Sequence, residues 1–537
     1  MSMENLGPYT NFHELNQDWF LSEFNKVIAQ WKTMQKNFDS LQDAFNDLKS
    51  YVQDYFKNLD VQEEINNKLD QMLENGELYA YIQKFLNIYT SPITYGCVGD
   101  GKTDDTNNFK KMLEAGNKYI DLLGKTYLLS ERLNIDVRKI KNGTLKTNID
   151  AINQNDGFIN IINGNTIIDN VNIDCGHFMD RPFYGQPKYE EYIALRSKTL
   201  AALKISNASN VIVTNCKNSN ALNFIFITDS SNIQISNCTA YQTMGDGFYI
   251  TGVTNDVCVT NCICISCMDD CYSVNGFYHD INNNPTRVTY SNCTALNCFG
   301  ACVTLLSCSN CVAENISSYG NKYSPVKLGS LEVNNIYASP SRNISISNII
   351  CELSSTVSLV NNALNIIDGY NNSISENISI SNLTFIYNGV KVKCKCHWCN
   401  RVNISNLTFN GVDFYIENST NINLTSSNLY NTTFTLTSIT NFNVTNNIIA
   451  LGGITLGSCN NGSIKNNYID SIYVNNCKNI NSDVKIEGID SSNLTCEPYT
   501  KTAIYNMLKD GCMVHSDDGK IGYIFNKNVK WLTTPIS

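Results

Sequence analysis

The chain has 537 residues, too many for one compact core, so it requires either several modules or a repeat architecture. A net charge of −10 excludes a basic nucleic-acid surface, and no stretch is long and apolar enough to span a membrane. The 22 cysteines would suit a secreted disulfide scaffold, yet Met1–Pro8 lacks the basic end and apolar run of a secretion signal. Reduced thiols in a protein made in a cytoplasm are therefore expected.

Residues 1–90 read as helices. Apolar residues fall at Phe24, Val27, Trp31, Met34, Phe38, Leu41, Phe45, Leu48, Val52 and Tyr55, in alternating steps of 3 and 4. This is a coiled-coil seam. Its many aromatics are too bulky for a two-stranded zipper and suit a trimer, a wider bundle or docking onto a partner; a homotrimer is expected. Asp60 caps a second helix carrying Ile65, Leu69 and Met72, which Gly76 stops. A short third helix, Glu77 to Leu86, leads to a linker at Ser91-Pro92.

Two blocks here carry a resemblance: Pro8-Tyr-Thr-Asn-Phe-His-Glu-Leu-Asn-Gln-Asp-Trp19, and Asn58-Leu-Asp-Val-Gln-Glu-Glu-Ile-Asn-Asn-Lys-Leu69. The segment resembles the N-terminus of tail or appendage proteins of phages that infect low-GC Gram-positive bacteria. The resemblance implies a virion-attachment module that binds other virion proteins and precedes receptor-binding parts. Residues 91–125 follow as a cap. Within them, Tyr95-Gly-Cys-Val-Gly-Asp100-Gly-Lys-Thr-Asp104-Asp105-Thr is similar to the opening motif of pectate-lyase-like β-helices of phage tailspikes. Physically, the Gly and Asp residues make tight turns, and Asp104 or Asp105 can cap a helix over 106–115 that plugs the first coil. Structural caps are expected of Asp100, Asp104 and Asp105, not a metal site.

From 126 to 477 one pattern returns. An apolar position recurs at Ile140, Ile168, Val213, Ile235, Val259, Tyr290, Ala313, Ile346, Ile380, Ile404, Leu424, Val444 and Ile464. Two residues after each comes Asn, except for Ser426. A short strand ending in an Asn turn, repeated at solenoid spacing, predicts an all-β right-handed parallel β-helix with inward Val, Ile and Cys and a ladder of Asn side chains. Cys216, Cys238, Cys262 and Cys293 share one ladder site, as stacked buried thiols would. Cys394-Lys-Cys396-His397-Trp-Cys399 offers zinc-competent side chains, but a tight alternating run does not converge them, so inward Cys and outward Lys is the reading. Four long intervals between ladder positions mark loops that leave the solenoid. The first holds His177, Arg181, Phe183, Tyr184, Tyr189 and Tyr192, suited either to stacking on sugar rings or to packing on the solenoid or a neighbouring chain. Residues 478–537 read as a terminal capping module with a hairpin near Asp517-Asp-Gly519 and Tyr523-Ile-Phe525.

Counting eleven residues beyond the ladder position gives Phe224, Asp246, Asp270, Ala301 and Ser324 in successive coils. Asp246 and Asp270 are thus in phase, with backbones about 4.8 Å apart, and Asp269 sits beside them. Carboxylates this close cannot all ionise easily, and a raised acid beside an ionised base is what glycoside hydrolysis needs. Met244-Gly-Asp246-Gly and Cys267-Met-Asp269-Asp270-Cys resemble the Asn-Thr-Asp-Gly and Gln-Asp-Asp-Cys motifs of polygalacturonase-like glycoside hydrolases. The resemblance implies that Asp246, Asp269 and Asp270 form the acid/base set of an inverting hydrolase. It departs at Phe299-Gly300-Ala301, where that family has Gly-His-Gly. Its Arg-x-Lys clamp is also missing, leaving Arg287, Lys327 or Arg342 as substitutes from the loops. The expected substrate contacts are Arg287, His177, Tyr184 and Lys327, with no cofactor and no metal. Three functions compete: a depolymerase of a host surface polysaccharide such as capsule or teichoic acid, a non-catalytic adhesin on the same β-helix, and a virion spacer.

Overall fold

A computed structural model describes residues 48–50, 62–74, 89–153, 156–330, 332–333, 336–337, 339–353, 364–368, 373–387, 392–450, 452–469, 472–483, 486–487, 492–496, 513–515, 521–525 and 528–531. The chain divides into two units, Met1–Thr90 and Ser91–Ser537. In the first, helix α1 (Gln62–Glu74) forms where Ile65, Leu69 and Met72 place it. Lys49 Nζ lies 2.6 Å from the Asp70 carboxylate. Leu48 aside, the seam from Phe24 to Tyr55 falls outside the described residues, as do Asp60, Gly76 and the third helix.

The second unit opens with a short helical turn, Pro92–Tyr95, ended by Gly96 at φ 86°. Helix α2 (Thr106–Glu114) follows, with Phe109 and Met112 fully buried. The acids before it are structural, each in its own way. Asp100 accepts from the Lys102 and Thr103 N–H groups, and Asp104 accepts from Thr106 N–H at 3.0 Å. Asp105, at the N-cap position, turns back to accept from Val98 N–H at 2.6 Å and Gly99 N–H at 3.0 Å.

Beyond the cap the chain is a parallel β solenoid. Its strands form a 25-stranded and a 15-stranded sheet, parallel in every pairing. All thirteen apolar ladder residues are direct register partners, in sequence from Ile140↔Ile168 to Val444↔Ile464. The residue two further on explains the Asn signature. Each of those thirteen positions is left-handed, with φ between 53° and 58°. An ordinary side chain pays about 1–2 kcal/mol there, whereas Asn tolerates it. The amides also bond coil to coil, as in Asn348 to Asn315 at 2.9 Å and Asn382 to Asn348 at 2.7 Å.

Inward residues are buried along the whole stack. The cysteines of the described residues are free, and all but Cys258 are buried. Cys238 and Cys293 direct their thiols at carbonyls one coil below, Val213 and Val259. Cys394 and Cys396 face the core while Lys395 points out to Glu417 at 2.7 Å. Near the C-terminus, Met513–His515, Ile521–Phe525 and Asn528–Trp531 make a small antiparallel sheet, with the expected hairpin strand at its centre.

Candidate active site

Five strands of the 15-stranded sheet carry the site: β1 (Ile225–Thr228), β2 (Phe248–Thr251), β3 (Tyr272–Asn275), β4 (Val303–Leu306) and β5 (Val326–Gly329). Ile225, Phe248, Tyr272, Val303 and Val326 are register partners. Two residues before them stand Asn223, Asp246, Asp270, Ala301 and Ser324. The phase count therefore places Asp246 and Asp270 in one column, and the register corrects its first member. Asn223, not Phe224, is the residue one coil before Asp246; the Phe224 ring is buried in the core. Side chain and backbone link this column. Asp246 N–H donates to Asn223 Oδ1 at 2.8 Å, Asp270 N–H to Asp246 Oδ1 at 3.1 Å, and Ala301 N–H to Asp270 Oδ1 at 2.8 Å.

Asp269 joins the pair because it lies on a bend before β3, not on the strand, so strand alternation does not turn it away. Oxygens of the three carboxylates all lie within 4.8 Å of one another. Burial, then the charges of Asp269 and Asp270, push the Asp246 carboxyl well above the usual carboxylate range. Burial and Asp269 raise Asp270 as well, but Lys327, the Thr304 hydroxyl at 2.7 Å and Ala301 N–H oppose the rise. Asp246 is thus the better proton holder and Asp270 the better-stabilised anion. These acids are also close enough to share a metal ion, but their oxygens already face internal donors, which fits a proton site better than a cation cage.

The missing imidazole has a steric cause. A Cβ on Gly300 would sit 2.4 Å from the Asp269 carbonyl carbon and 2.5 Å from Asp270 N, so no side chain fits at that position.

The first long loop decides the rest. It carries helix α3 (Tyr189–Lys198) and folds back onto the column. Tyr192 is buried and donates its hydroxyl to Met244 O at 2.6 Å, two residues before Asp246. Arg196 pairs with Asp269 at 2.7 Å and Arg181 pairs with it at 3.3 Å. Arg181 also donates to Met268 O and lies 4.5 Å over the Phe299 ring, against which Phe183 packs. Of the two uses the sequence allowed this loop, packing on the solenoid holds for Arg181, Phe183 and Tyr192. Tyr184 remains exposed, edge-on to Tyr189 at 5.3 Å.

The other expected contacts divide. Lys327 sits on β5 beside Thr304 in register, within electrostatic reach of Asp270. His177 lies 3.2 Å from Asp150. Arg287 occupies a second left-handed ladder on the wide sheet at φ 54° and pairs with Asp256 at 2.6 Å, so the structure does not bring it to the acids. Sequence reasoning missed Arg196 and Thr304. Thr304 was accessible, because it stands three residues past the in-phase Ala301; Arg196 had no such signal.

No family model matches the chain. It is 24% identical over 332 residues to the pre-neck appendage protein of Bacillus phage B103, and 23% identical over 343 residues to that of Bacillus phage phi29. Each match covers 56% of this chain and 37% of the relative, just over a third of its length. Among solved structures, PfbA, a surface adhesin of Streptococcus pneumoniae, has a TM-score of 0.47 at 12% identity, covering 76% of this chain and all of that one. The catalytic domain of a GH87 alpha-1,3-glucanase in complex with nigerose has a TM-score of 0.43 at 14% identity, over 77% and 68%. A family 28 exopolygalacturonase of Yersinia enterocolitica has a TM-score of 0.39 at 12% identity, over 76% and 78%.

Proposed function

We propose that the chain is a phage appendage protein of the virion that binds a host cell-surface glycan and hydrolyses it at Asp246, Asp269 and Asp270. The observation that carries this reading is the convergence of three carboxylates within 4.8 Å, with the Asp246 carboxyl pushed well above the usual carboxylate range by burial and by the charges of Asp269 and Asp270. In this reading Asp246 donates its proton to the glycosidic oxygen as the bond to the anomeric carbon breaks. Asp270 takes the proton of the attacking water. Asp269, clamped by Arg181 and Arg196, supplies the charge that keeps the proton on Asp246. Lys327 and the exposed Tyr184 are the substrate contacts that remain consistent with this geometry. Attachment to other virion proteins through residues 1–90, in keeping with the appendage relatives, and assembly as a homotrimer, argued from the apolar seam in the sequence from Phe24 to Tyr55, complete the proposal.

Incubating the protein with purified wall glycan of its host tests the reading. New reducing ends and shortened chains are expected, and early-product NMR should show the inversion that direct attack by the Asp270-activated water requires. Tight glycan binding without any new reducing end would leave an adhesin in place of a hydrolase.

A further inference from the structure

Two methionines stand immediately before the acids, Met244 two residues ahead of Asp246 and Met268 one ahead of Asp269, each on the bend that leads into its strand. Both are buried, yet not in the solenoid core. They belong to a small separate cluster with Tyr192, flanked by Phe178, Met179 and Leu195 of the first long loop. The solenoid turns these side chains away from its own core, and the loop supplies the cover that removes them from water.

Two hydroxyls tie α3 to Met244 beyond this packing. Tyr192 donates to Met244 O at 2.6 Å, and Thr199, just past the helix, donates to Met244 Sδ at 3.5 Å. Burial pushes the Tyr192 phenol up to about 12, so it stays a neutral donor at physiological pH. Four residues on, Arg196 shares the face of α3 that carries Tyr192. Its guanidinium meets Asp269 Oδ2 at 2.7 Å, while Arg181 stands 3.3 Å from Oδ1. The phenol bond and the ion pair thus lie one helical turn apart, and each ends on a bend that leads to an acid. Asp246 feels the result. Asp269 and Asp270 favour its protonated form, and Arg196 opposes them. Of the other groups nearby, Arg181 acts on Asp269 and Lys327 on Asp270, while burial keeps the Tyr249 and Tyr290 phenols neutral.

We infer that Tyr192 is a positioning residue: its bond to Met244 O fixes α3 where Arg196 meets Asp269, so that this insertion sets the charge balance under which Asp246 releases its proton. The consequence for turnover rests on the hydrolase reading, whereas the titration of Asp246 is read without substrate. Infrared difference spectra of the full chain across pH identify the protonated Asp246 carboxyl as the band that Asp246→Asn removes. Arg196→Gln should move its midpoint to higher pH, and Arg196→Lys should return it most of the way. Tyr192→Phe, which keeps the ring in the cluster, should move it in the same direction by less. With purified wall glycan, Tyr192→Phe should lower kcat by about tenfold with KM little changed, because a displaced charge costs rate and not binding. The alkaline limb of its pH profile should rise with the band, since the general acid then keeps its proton to higher pH. An unmoved midpoint in Tyr192→Phe, or no band that Asp246→Asn removes, would overturn the inference. So would a Tyr192→Phe chain without the wild-type cooperative melt, which would assign the phenol to folding alone. Shifted midpoints in a chain that releases no reducing ends would remove the hydrolase reading and leave the coupling in place; turnover with unmoved midpoints would do the reverse.

Discussion

Replacing Asp246 by Asn separates chemistry from architecture at one atom. Oδ1 of Asp246 accepts the Asp270 N–H, and Asn223 does the same for Asp246 one coil earlier with an amide. An Asn at 246 therefore keeps the link while removing the transferable proton. Loss of general acid catalysis costs about a hundredfold or more in turnover, close to 2.7 kcal/mol of barrier. Stability should move the other way. The folded carboxyl is raised well above its ordinary 3.8, so above that pH the folded state binds more protons than the unfolded one. Stability then falls as pH rises from 3.8 through the raised folded value, and each unit of displacement costs about 1.4 kcal/mol. Asp246→Asn should match the wild type below that window and melt higher at neutral pH. Reducing-end release from wall glycan and thermal midpoints at both pH values read the two effects. Wild-type turnover in the variant, or a midpoint below wild type at neutral pH, would refute the assignment.

Three further outcomes follow from particular contacts. Gly300→Ala forces a Cβ to within 2.4 Å of the Asp269 backbone; it should cost about 1–3 kcal/mol and cut turnover, measured by denaturant melts and reducing-end assay. Thiol counting after denaturation should give all 22 cysteines with or without reductant, and a large deficit without it would refute a free-thiol core. Light scattering of the full chain should give the mass of three copies, because a monomer would leave the apolar seam of residues 24–55 exposed; a single-chain mass at micromolar concentration would refute the trimer.

The solenoid was legible in the sequence because one physical constraint repeats in each coil. The turn two residues past the inward position is left-handed, so Asn recurs there, and every apolar residue that Asn marks, from Ile140 to Ile464, is a register partner of the next. The same regularity located Asp246 and Asp270 by counting, since position along a coil is conserved wherever no loop intervenes. Counting failed where a loop changed length: Asn223 took the place assigned to Phe224. Asp269 lay beyond the rule, because a bend rather than a strand carries it. Arg287 has the charge for a substrate clamp, but its phase assigns it to the ladder opposite Asp256, and residue type alone carries no phase. Only the tertiary structure brought Arg181 and Arg196 to Asp269, because they reside on an insertion outside the repeat. Where such a loop lands depends on Tyr192 reaching Met244 and on Phe183 meeting Phe299, contacts across long stretches of chain that no local period encodes.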